Sequence, residues 1–125
     1  MIENDLSKII VDSCFRIHKT LGPGLLESVY EEVLAYELQK QGLSIKRQEG
    51  IAVLYENIQM NIGFRADIIV ENKVIIEIKA VEEISPIHQK QLLTYLRLTG
   101  MKLGLLVNFN EELIRTGIKR IANNL

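Results

Sequence analysis

The sequence predicts a mixed α/β domain, in which α-helices flank a central β-sheet that contains both parallel and antiparallel strands. Two features of the pattern predict this class. Apolar residues recur at helical spacing up to about residue 41, and from residue 45 they follow the spacing of short strands. Farther on, a helical segment at 86–99 separates apolar strands at 74–80 and 103–109, an order typical of a right-handed crossover between parallel strands. The predicted order is two helices, a series of short strands, a helix, a strand and a final helix, in one domain that covers residues 1–125.

Two helices are predicted at the start of the chain. Residues 3–20 form the first, because their apolar side chains recur at intervals of three and four. The segment Gly22-Pro23-Gly24 ends it, since glycine and proline both disfavour a helix interior. The second helix is expected from about 25 to 41, with Gly42 as its C-terminal cap. Glu27 falls in the first turn of this second helix, where a carboxylate also complements the helix dipole.

The middle of the chain is predicted to form short antiparallel strands joined by tight turns. Glu56-Asn57 is the expected turn of one hairpin, and a second hairpin turns at 71–73. The strand at 74–80 is apolar on both faces except at Glu77 and Lys79, which places it inside the sheet. The strands of this region are expected at 45–48, 51–55, 58–62, 64–71 and 73–80.

The last third of the chain is predicted to contain two helices and one strand. Ser85 is a suitable N-cap and Pro86 a suitable first helical residue, so a helix is expected to begin there and to end at Gly100. A short apolar strand at 103–109 follows. The segment 111–123 is amphipathic and is predicted to form a final helix.

Three charged residues interrupt the core-facing positions of the apolar hairpin at 64–80, namely Asp67, Glu77 and Lys79. Because the turn lies midway between Asp67 and Glu77, the two carboxylates are expected to be opposite each other, with Cβ atoms about 5 Å apart. Lys79 projects from the same face of its strand as Glu77. Such a patch can bind a hard divalent cation such as Mg²⁺ together with a phosphate oxygen. A structural ion pair between Lys79 and either carboxylate explains the same spacing, and spacing alone leaves both interpretations open.

The composition excludes several classes of protein. The net charge of −1 gives no global basic field for nucleic acid, so a polyanion would have to bind a local patch or a bound metal ion. Cys14 is the only cysteine, which excludes an intrachain disulfide, and it is expected to be a small buried residue on a helix. With no signal peptide or apolar membrane span in the sequence, a cytoplasmic protein is expected. The basic residues that could follow a phosphate backbone are scattered in sequence: Lys46, Arg47, Arg65, Lys90, Arg97 and Lys102.

Three motifs give the chain a resemblance to a known family. The hairpin pattern Ala66-Asp67 … Glu77-Ile78-Lys79 resembles the signature of the PD-(D/E)xK nuclease superfamily, with alanine in place of the usual proline. The segment from Gly24 to Tyr30 has the form G-x-x-E-x-x-Y and resembles the small family of this superfamily that is named after that motif. The segment from Gln91 to Tyr95 has the form Q-x-x-x-Y, which is similar to the exonuclease and recombination-nuclease branch. The resemblance spans roughly residues 10 to 120.

The resemblance implies a restriction-endonuclease-like core with an active site on the hairpin. Asp67 and Glu77 would bind Mg²⁺ or Mn²⁺, and Lys79 would be the catalytic lysine. Glu27 would complete or support the metal shell, unless it serves only the helix dipole. Tyr30 is expected to pack in the core with its hydroxyl orienting Glu27.

The resemblance also implies a role in substrate binding for the helix that follows the hairpin. Gln91 and Tyr95 are four residues apart on one helical face and would contact the substrate backbone or hold Lys79 in position. The simpler alternatives are solvent contact for Gln91 and core packing for Tyr95. For His18 and His88 we expect a helix cap and an exposed side chain, respectively, although each lies where it could face the site.

Two functions of different classes are consistent with these residues. The first is a metal-dependent nuclease that hydrolyses phosphodiester bonds in DNA. The second is a nuclease-like module that binds DNA or a protein without cutting, which the near-neutral charge favours slightly. A purely structural cluster of ion pairs is a third and weaker possibility. Since a chain of 14.3 kDa is small for holding duplex DNA alone, a homodimer is a further hypothesis.

Overall fold

The computed structural model describes all 125 residues of the chain. It contains three α-helices, seven β-strands and one short 3₁₀ helix. In chain order these are α1 (Glu3–Leu21), α2 (Glu27–Lys40), β1 (Ile45–Ile51), β2 (Leu54–Tyr55), β3 (Ile58–Gln59), β4 (Phe64–Val70), β5 (Val74–Lys79), α3 (Pro86–Thr99), β6 (Leu103–Asn108), the 3₁₀ helix (Ile114–Gly117) and β7 (Ile118–Ala122).

The main sheet has five strands in the order β1-β4-β5-β6-β7, so β5 lies at its centre, as predicted. β5 and β6 are parallel and α3 connects them, whereas all other neighbours are antiparallel. β2 and β3 form a separate hairpin that turns at Glu56-Asn57. Both turn residues have positive φ, and so do Glu71 and Asn72 in the turn between β4 and β5. The predicted mixed sheet, its parallel pair and both turns are therefore confirmed.

Helices cover both faces of the main sheet. On one face α1 and α2 pack against it through a large buried cluster that includes Leu6 and Leu34. On the other face α3 contributes Leu92 and Leu96 to a smaller cluster. Gly104 in β6 allows α3 to approach, because a Cβ atom at that position would lie 2.8 Å from Cγ of Leu92. The hairpin at the centre of the sheet is thus enclosed on both sides.

The predicted final helix at 111–123 is wrong. Only Ile114–Gly117 form one 3₁₀ turn, and Ile118–Ala122 form β7, which pairs with β6. Ile114, Ile118 and Ile121 have helical spacing, but without β7 the backbone groups along that side of β6 would have no strand partner. Gly117 lies where a Cβ atom would be 2.5 Å from the carbonyl oxygen of Asn108. Tertiary pairing therefore overrides the local pattern.

Smaller differences concern the ends of elements. The sequence predicts two short strands at 45–48 and 51–55. In the structure β1 runs without interruption from Ile45 to Ile51, and β2 comprises only Leu54–Tyr55. The strand predicted at 58–62 ends at Gln59. α2 begins at Glu27 and not at residue 25, with Leu26 as its N-cap.

Two expectations from composition concern the helices. Cys14 is completely buried in α1, as predicted, and burial raises the pKa of its thiol to about 12, so the thiol stays protonated at neutral pH. None of the helices combines the length and the apolar character that crossing a lipid bilayer requires.

Candidate active site

Asp67 and Glu77 face each other across β4 and β5. The pairs Val70–Val74, Ile69–Ile75 and Ile68–Ile76 define the register, and its next position sets Asp67 against Glu77. The Oδ2 atom of Asp67 accepts a hydrogen bond of 2.8 Å from the backbone N–H of Ile78. The carboxylate of Asp67 is therefore held across the neighbouring strand beside Glu77, as the sequence predicted.

The side chains of β4 change faces at Asp67. Phe64 and Ala66 pack on the side of α3, whereas Ile68 and Val70 pack on the side of α1 and α2, although all four positions are even-numbered. In a regular strand, residues two apart point to the same face, so the alternation must be broken near Asp67. Residues of β4 pack on both faces of the sheet. The local break explains how the side chain of Asp67 in this strand reaches the backbone amide of Ile78 in β5.

The carboxyl group of Glu77 is buried and incompletely satisfied. Glu77 is 8% exposed, and its Oε1 atom has no hydrogen-bond partner. Burial first, and then the negative charge and hydrogen bonding of Asp67, raise the pKa of Glu77 to about 9, although the charge of Lys79 opposes this increase. Two adjacent carboxylates with one unpaired oxygen need either a proton or a cation between them.

Lys79 lies on the same face of β5 as Glu77. Both line a small pocket, which is closed on the other side by α3 residues. Lys79 belongs to none of the ion pairs of the protein, which are Arg16–Glu37, Lys40–Glu37 and Arg47–Glu31. The structural ion pair that the sequence left open for Lys79 is therefore not formed.

The α3 helix brings Gln91 and Tyr95 to the same pocket, together with His88. Gln91 is solvent-exposed. The ring of Tyr95 stacks on Phe64 with a centroid distance of 3.7 Å, so the packing role weighed for Tyr95 is present. Burial raises the pKa of the Tyr95 hydroxyl, and the charges of Glu77 and Asp67 raise it further, because all three groups lie close together.

The two histidines differ in their relation to the site. His88 is half-buried rather than exposed, and its Nδ1 atom accepts a hydrogen bond of 3.3 Å from the N–H of Ser85 at the start of α3. His18 is buried and its Nε2 atom lies 2.7 Å from the carbonyl oxygen of Glu111, far along the chain from the hairpin. His18 therefore joins α1 to the segment after β6, and His88 alone belongs to the pocket of Lys79.

Glu27 lies at the end of β5, where its Oε2 atom accepts a hydrogen bond of 3.1 Å from the N–H of Ala80. It lines a neighbouring open pocket with Leu25, Leu26, Ser28 and Ala80, and not the pocket of Glu77. No three or more His, Cys, Asp or Glu side chains converge in a single cluster of potential metal ligands. The structure thus brings Asp67 and Glu77 together, whereas Glu27, the third metal ligand predicted from the sequence, lies at the end of β5 and outside their pocket.

The hydroxyl of Tyr30 does not bond to Glu27, which corrects the prediction. It donates to the carbonyl oxygen of Gly22 and accepts from the N–H of Leu25 at 3.2 Å. The ring is fully buried and stacks on Phe109 with a centroid distance of 4.5 Å, so the predicted packing role is confirmed. Tyr30 therefore fixes the loop that precedes Glu27 and acts on Glu27 only through the backbone.

Sequence reasoning missed a polar network behind Asp67. The Nε2 atom of Gln48 in β1 donates to Oδ1 of Asp67 at 3.2 Å and to Oε1 of Glu31 at 2.6 Å. Arg47, considered above as a phosphate contact, instead pairs with Glu31 at 3.0 Å. The only sign of this network in the sequence is a run of polar residues in and after the strand predicted at 45–48. Such a run is equally typical of an exposed strand at the edge of a sheet.

The comparisons with known proteins concern both the sequence and the fold. The sequence profile of the PD-(D/E)XK nuclease superfamily matches residues 4–121. No curated protein matches the sequence. Among solved structures, the chain is similar to an alkaline exonuclease (LHK-Exo) from Laribacter hongkongensis, with a TM-score of 0.54 and 18% sequence identity.

That similarity covers 78% of this chain and 56% of the exonuclease chain, so this chain spans little more than half the length of that protein. At this identity the likeness establishes the fold, which is the predicted restriction-endonuclease-like arrangement of a mixed sheet between helices. The match to the superfamily profile covers nearly the whole chain and includes Asp67, Glu77 and Lys79. The chain therefore belongs to the PD-(D/E)XK nuclease superfamily.

Proposed function

We propose that this protein is a metal-dependent nuclease that hydrolyses phosphodiester bonds in DNA and belongs to the G-x-x-E-x-x-Y branch of the superfamily. The observation that carries the proposal is the buried Glu77, whose Oε1 atom has no partner although Asp67 lies beside it. A structural carboxylate would normally be paired or fully hydrogen-bonded. The membership of the superfamily supports the same interpretation.

The residues fit a divalent cation such as Mg²⁺ or Mn²⁺. Asp67 and Glu77 would hold it, since Mg²⁺ is commonly bound by one or two carboxylates together with water and substrate phosphate oxygens. Glu27, which accepts a hydrogen bond from the N–H of Ala80 directly after Lys79, would support this shell through water or orient its partners. When bound, the ion would polarise the scissile phosphate and lower the pKa of the attacking water.

The protein's own side chains have separate tasks in this proposal. Lys79 faces the pocket without an ion-pair partner, so its ammonium group can donate to a phosphate oxygen or hold the attacking water. Gln91 is exposed at the rim of the pocket and can hydrogen-bond to the substrate backbone. Tyr95 is fixed by its stack on Phe64 and keeps α3 close to the carboxylates.

A DNA substrate is supported by the superfamily and by exposed basic residues on the strand and the helix that also carry site residues. Arg65 is exposed on β4, two residues before Asp67, and Lys90 and Arg97 are exposed on α3, the helix that carries Gln91. These side chains would supply the local positive charge that the net charge of −1 lacks. If the protein binds as the homodimer hypothesised from its small mass, it would contact a longer stretch of duplex than a single chain would.

Cleavage of defined substrates tests the proposal. The purified protein is incubated with linear duplex DNA, single-stranded DNA and RNA of matched length, with Mg²⁺, Mn²⁺ or chelator. We expect cleavage of DNA in the presence of either ion and none with chelator. Asp67→Asn and Lys79→Ala should abolish it, whereas Asp12→Asn and Lys119→Ala, which change exposed residues outside the site, should leave it unaltered.

Two results would contradict the proposal. Cleavage that survives both Asp67→Asn and Lys79→Ala would place the chemistry elsewhere. Binding of DNA without any cleavage or metal uptake would instead support the non-catalytic module that the sequence left open.

A further inference from the structure

Gln48 has an irregular backbone within β1. It lies inside β1, yet its φ is 51°, in the left-handed region that non-glycine residues rarely adopt. The pairing of β1 with β4 is interrupted there, because Arg47 pairs with Ile68 and Glu49 with Ala66 while Gln48 itself pairs with no residue. By this register Gln48 lies opposite Asp67, so the irregular backbone occurs directly beside the proposed active site.

The side chain of Gln48 bridges two carboxylates. Its Nε2 atom is 2.6 Å from Oε1 of Glu31 and 3.2 Å from Oδ1 of Asp67. Both partners are carboxylate oxygens, which only accept hydrogen bonds when ionised, so the amide NH₂ group and not the amide oxygen must point towards them. Both N–H groups of Nε2 of Gln48 are thus used as hydrogen-bond donors.

Glu31, at the other end of this bridge, is held in place by Arg47 as well as by Gln48. Glu31 in α2 is 7% exposed and forms an ion pair with Arg47, in which Nε and Nη2 of the arginine each lie 3.0 Å from Oε2. A buried carboxylate with an arginine and an amide donor is compensated on both oxygens, so Glu31 is held in one orientation. The chain Arg47–Glu31–Gln48 therefore connects the rigid helix α2 to Asp67.

Asp67 is consequently held at both of its oxygens. Oδ2 accepts from the N–H of Ile78 and Oδ1 accepts from Gln48. With a regular β conformation at residue 48, successive side chains of β1 would alternate between the two faces of the sheet, and the side-chain amide of Gln48 would point away from Asp67. The contact with Asp67 therefore depends on the left-handed backbone.

We propose that Gln48 is a positioning residue, which the Glu31–Arg47 pair holds and which fixes the carboxylate of Asp67 in its metal-binding orientation. The metal-binding part of this inference rests on the proposed function, whereas the orientation of Asp67 does not. Partners that orient a metal ligand in this way typically change metal affinity or activity by about 10–100-fold when they are removed.

The substitution Gln48→Gly tests the side chain alone, because glycine adopts positive φ without strain. Gln48→Asn is the second variant, since asparagine also tolerates this region of φ but is one methylene too short to bridge the two carboxylates. The matched control is Gln39→Ala, which removes the same amide group from an exposed position of α2.

The first measurement is hydrogen exchange of the Ile78 amide by NMR in chelator, which needs neither metal nor activity. We expect both Gln48 variants to speed exchange at Ile78 at least about tenfold, with other amides of β5 unchanged, because Asp67 no longer protects that N–H. Unchanged exchange at Ile78 in both folded variants overturns the inference.

The second measurement is the Kd for Mn²⁺ by calorimetry, with Asp67→Asn as reference. A loss of affinity of about 10–100-fold in the Gln48 variants, but not in Gln39→Ala, is expected. If Asp67→Asn weakens Mn²⁺ binding and the Gln48 variants do not, the positioning role is wrong while the proposed function stands. If the unaltered protein binds no Mn²⁺, the proposed function fails, and the exchange at Ile78 still decides whether Gln48 orients Asp67.

Discussion

Asp67 lies opposite Glu77 on adjacent antiparallel strands and reaches past it to accept the backbone N–H of Ile78 at 2.8 Å. This relationship places two carboxylates side by side at the centre of the sheet, where one of them is largely buried. Their mutual repulsion and the unpartnered Oε1 of Glu77 are the physical basis of the metal site proposed above.

Without metal, the stability of the protein should depend on the protonation of Glu77. Its pKa is raised from 4.5 to about 9, so the folded state holds a proton that the unfolded state has lost between these pH values. The free energy of unfolding should therefore fall as pH rises through this range, by up to about 1.4 kcal/mol for each pH unit.

Urea denaturation in chelator at several pH values between 5 and 9 measures this dependence. Glu77→Gln keeps the shape of the side chain but cannot lose a proton, so its curve should be flatter than that of the unaltered protein. Equal slopes for the two proteins would show that Glu77 does not carry the extra proton.

Lys79 should contribute to catalysis and little to stability. Because it forms no ion pair, Lys79→Ala should leave the thermal midpoint nearly unchanged and lower kcat by about 100-fold or more. Lys119→Ala, at an exposed position of β7, provides the matched control for loss of a positive charge. A large loss of stability without loss of kcat would assign Lys79 a structural role instead.

Glu27 should support metal binding through its charge. Glu27→Gln retains an oxygen that can accept the N–H of Ala80, so folding should be unaffected, but the negative charge is removed. We expect the affinity for Mn²⁺ to fall about tenfold, measured by calorimetry. Glu32→Gln changes an exposed glutamate of the same helix and should have no effect.

Tyr30 should stabilise the loop before α2 through its hydroxyl. Tyr30→Phe leaves the carbonyl of Gly22 and the N–H of Leu25 without their partner, and should cost about 1–2 kcal/mol of unfolding free energy. Urea denaturation measures this cost. Tyr36→Phe, at a side chain that is 62% exposed, should change the stability by much less.

Gly117→Ala distinguishes the observed C-terminal strand from the helix that the sequence favours. In a helix, alanine would stabilise the segment by about 1 kcal/mol. In the structure its Cβ would lie 2.5 Å from the backbone oxygen of Asn108, so a loss of about 1–3 kcal/mol is expected.

Thermal or urea denaturation gives the sign of this change. Gly50→Ala is the control, because no atom lies within 4 Å of the Cβ that it would add. A stabilised Gly117→Ala variant would contradict the close approach of Gly117 to the carbonyl of Asn108, just before β7.

The sequence by itself determined the central hairpin and the crossover that follows it. The turn residues Glu71 and Asn72 lie midway between Asp67 and Glu77, and the period of two places Lys79 on the face of Glu77. Pro86 and Gly100 bound α3 where the sequence indicated. These features depend on short-range geometry, which is encoded in neighbouring residues.

Only the tertiary structure decided the C-terminal strand and the support of Asp67. Ile118–Ala122 form a strand because β6 offers unpaired backbone groups, although their own pattern suits a helix. Gln48 adopts a left-handed backbone and meets Glu31 and Asp67 from two different elements. No local pattern predicts such contacts, because their free energy comes from groups that are distant in sequence and close together only after folding.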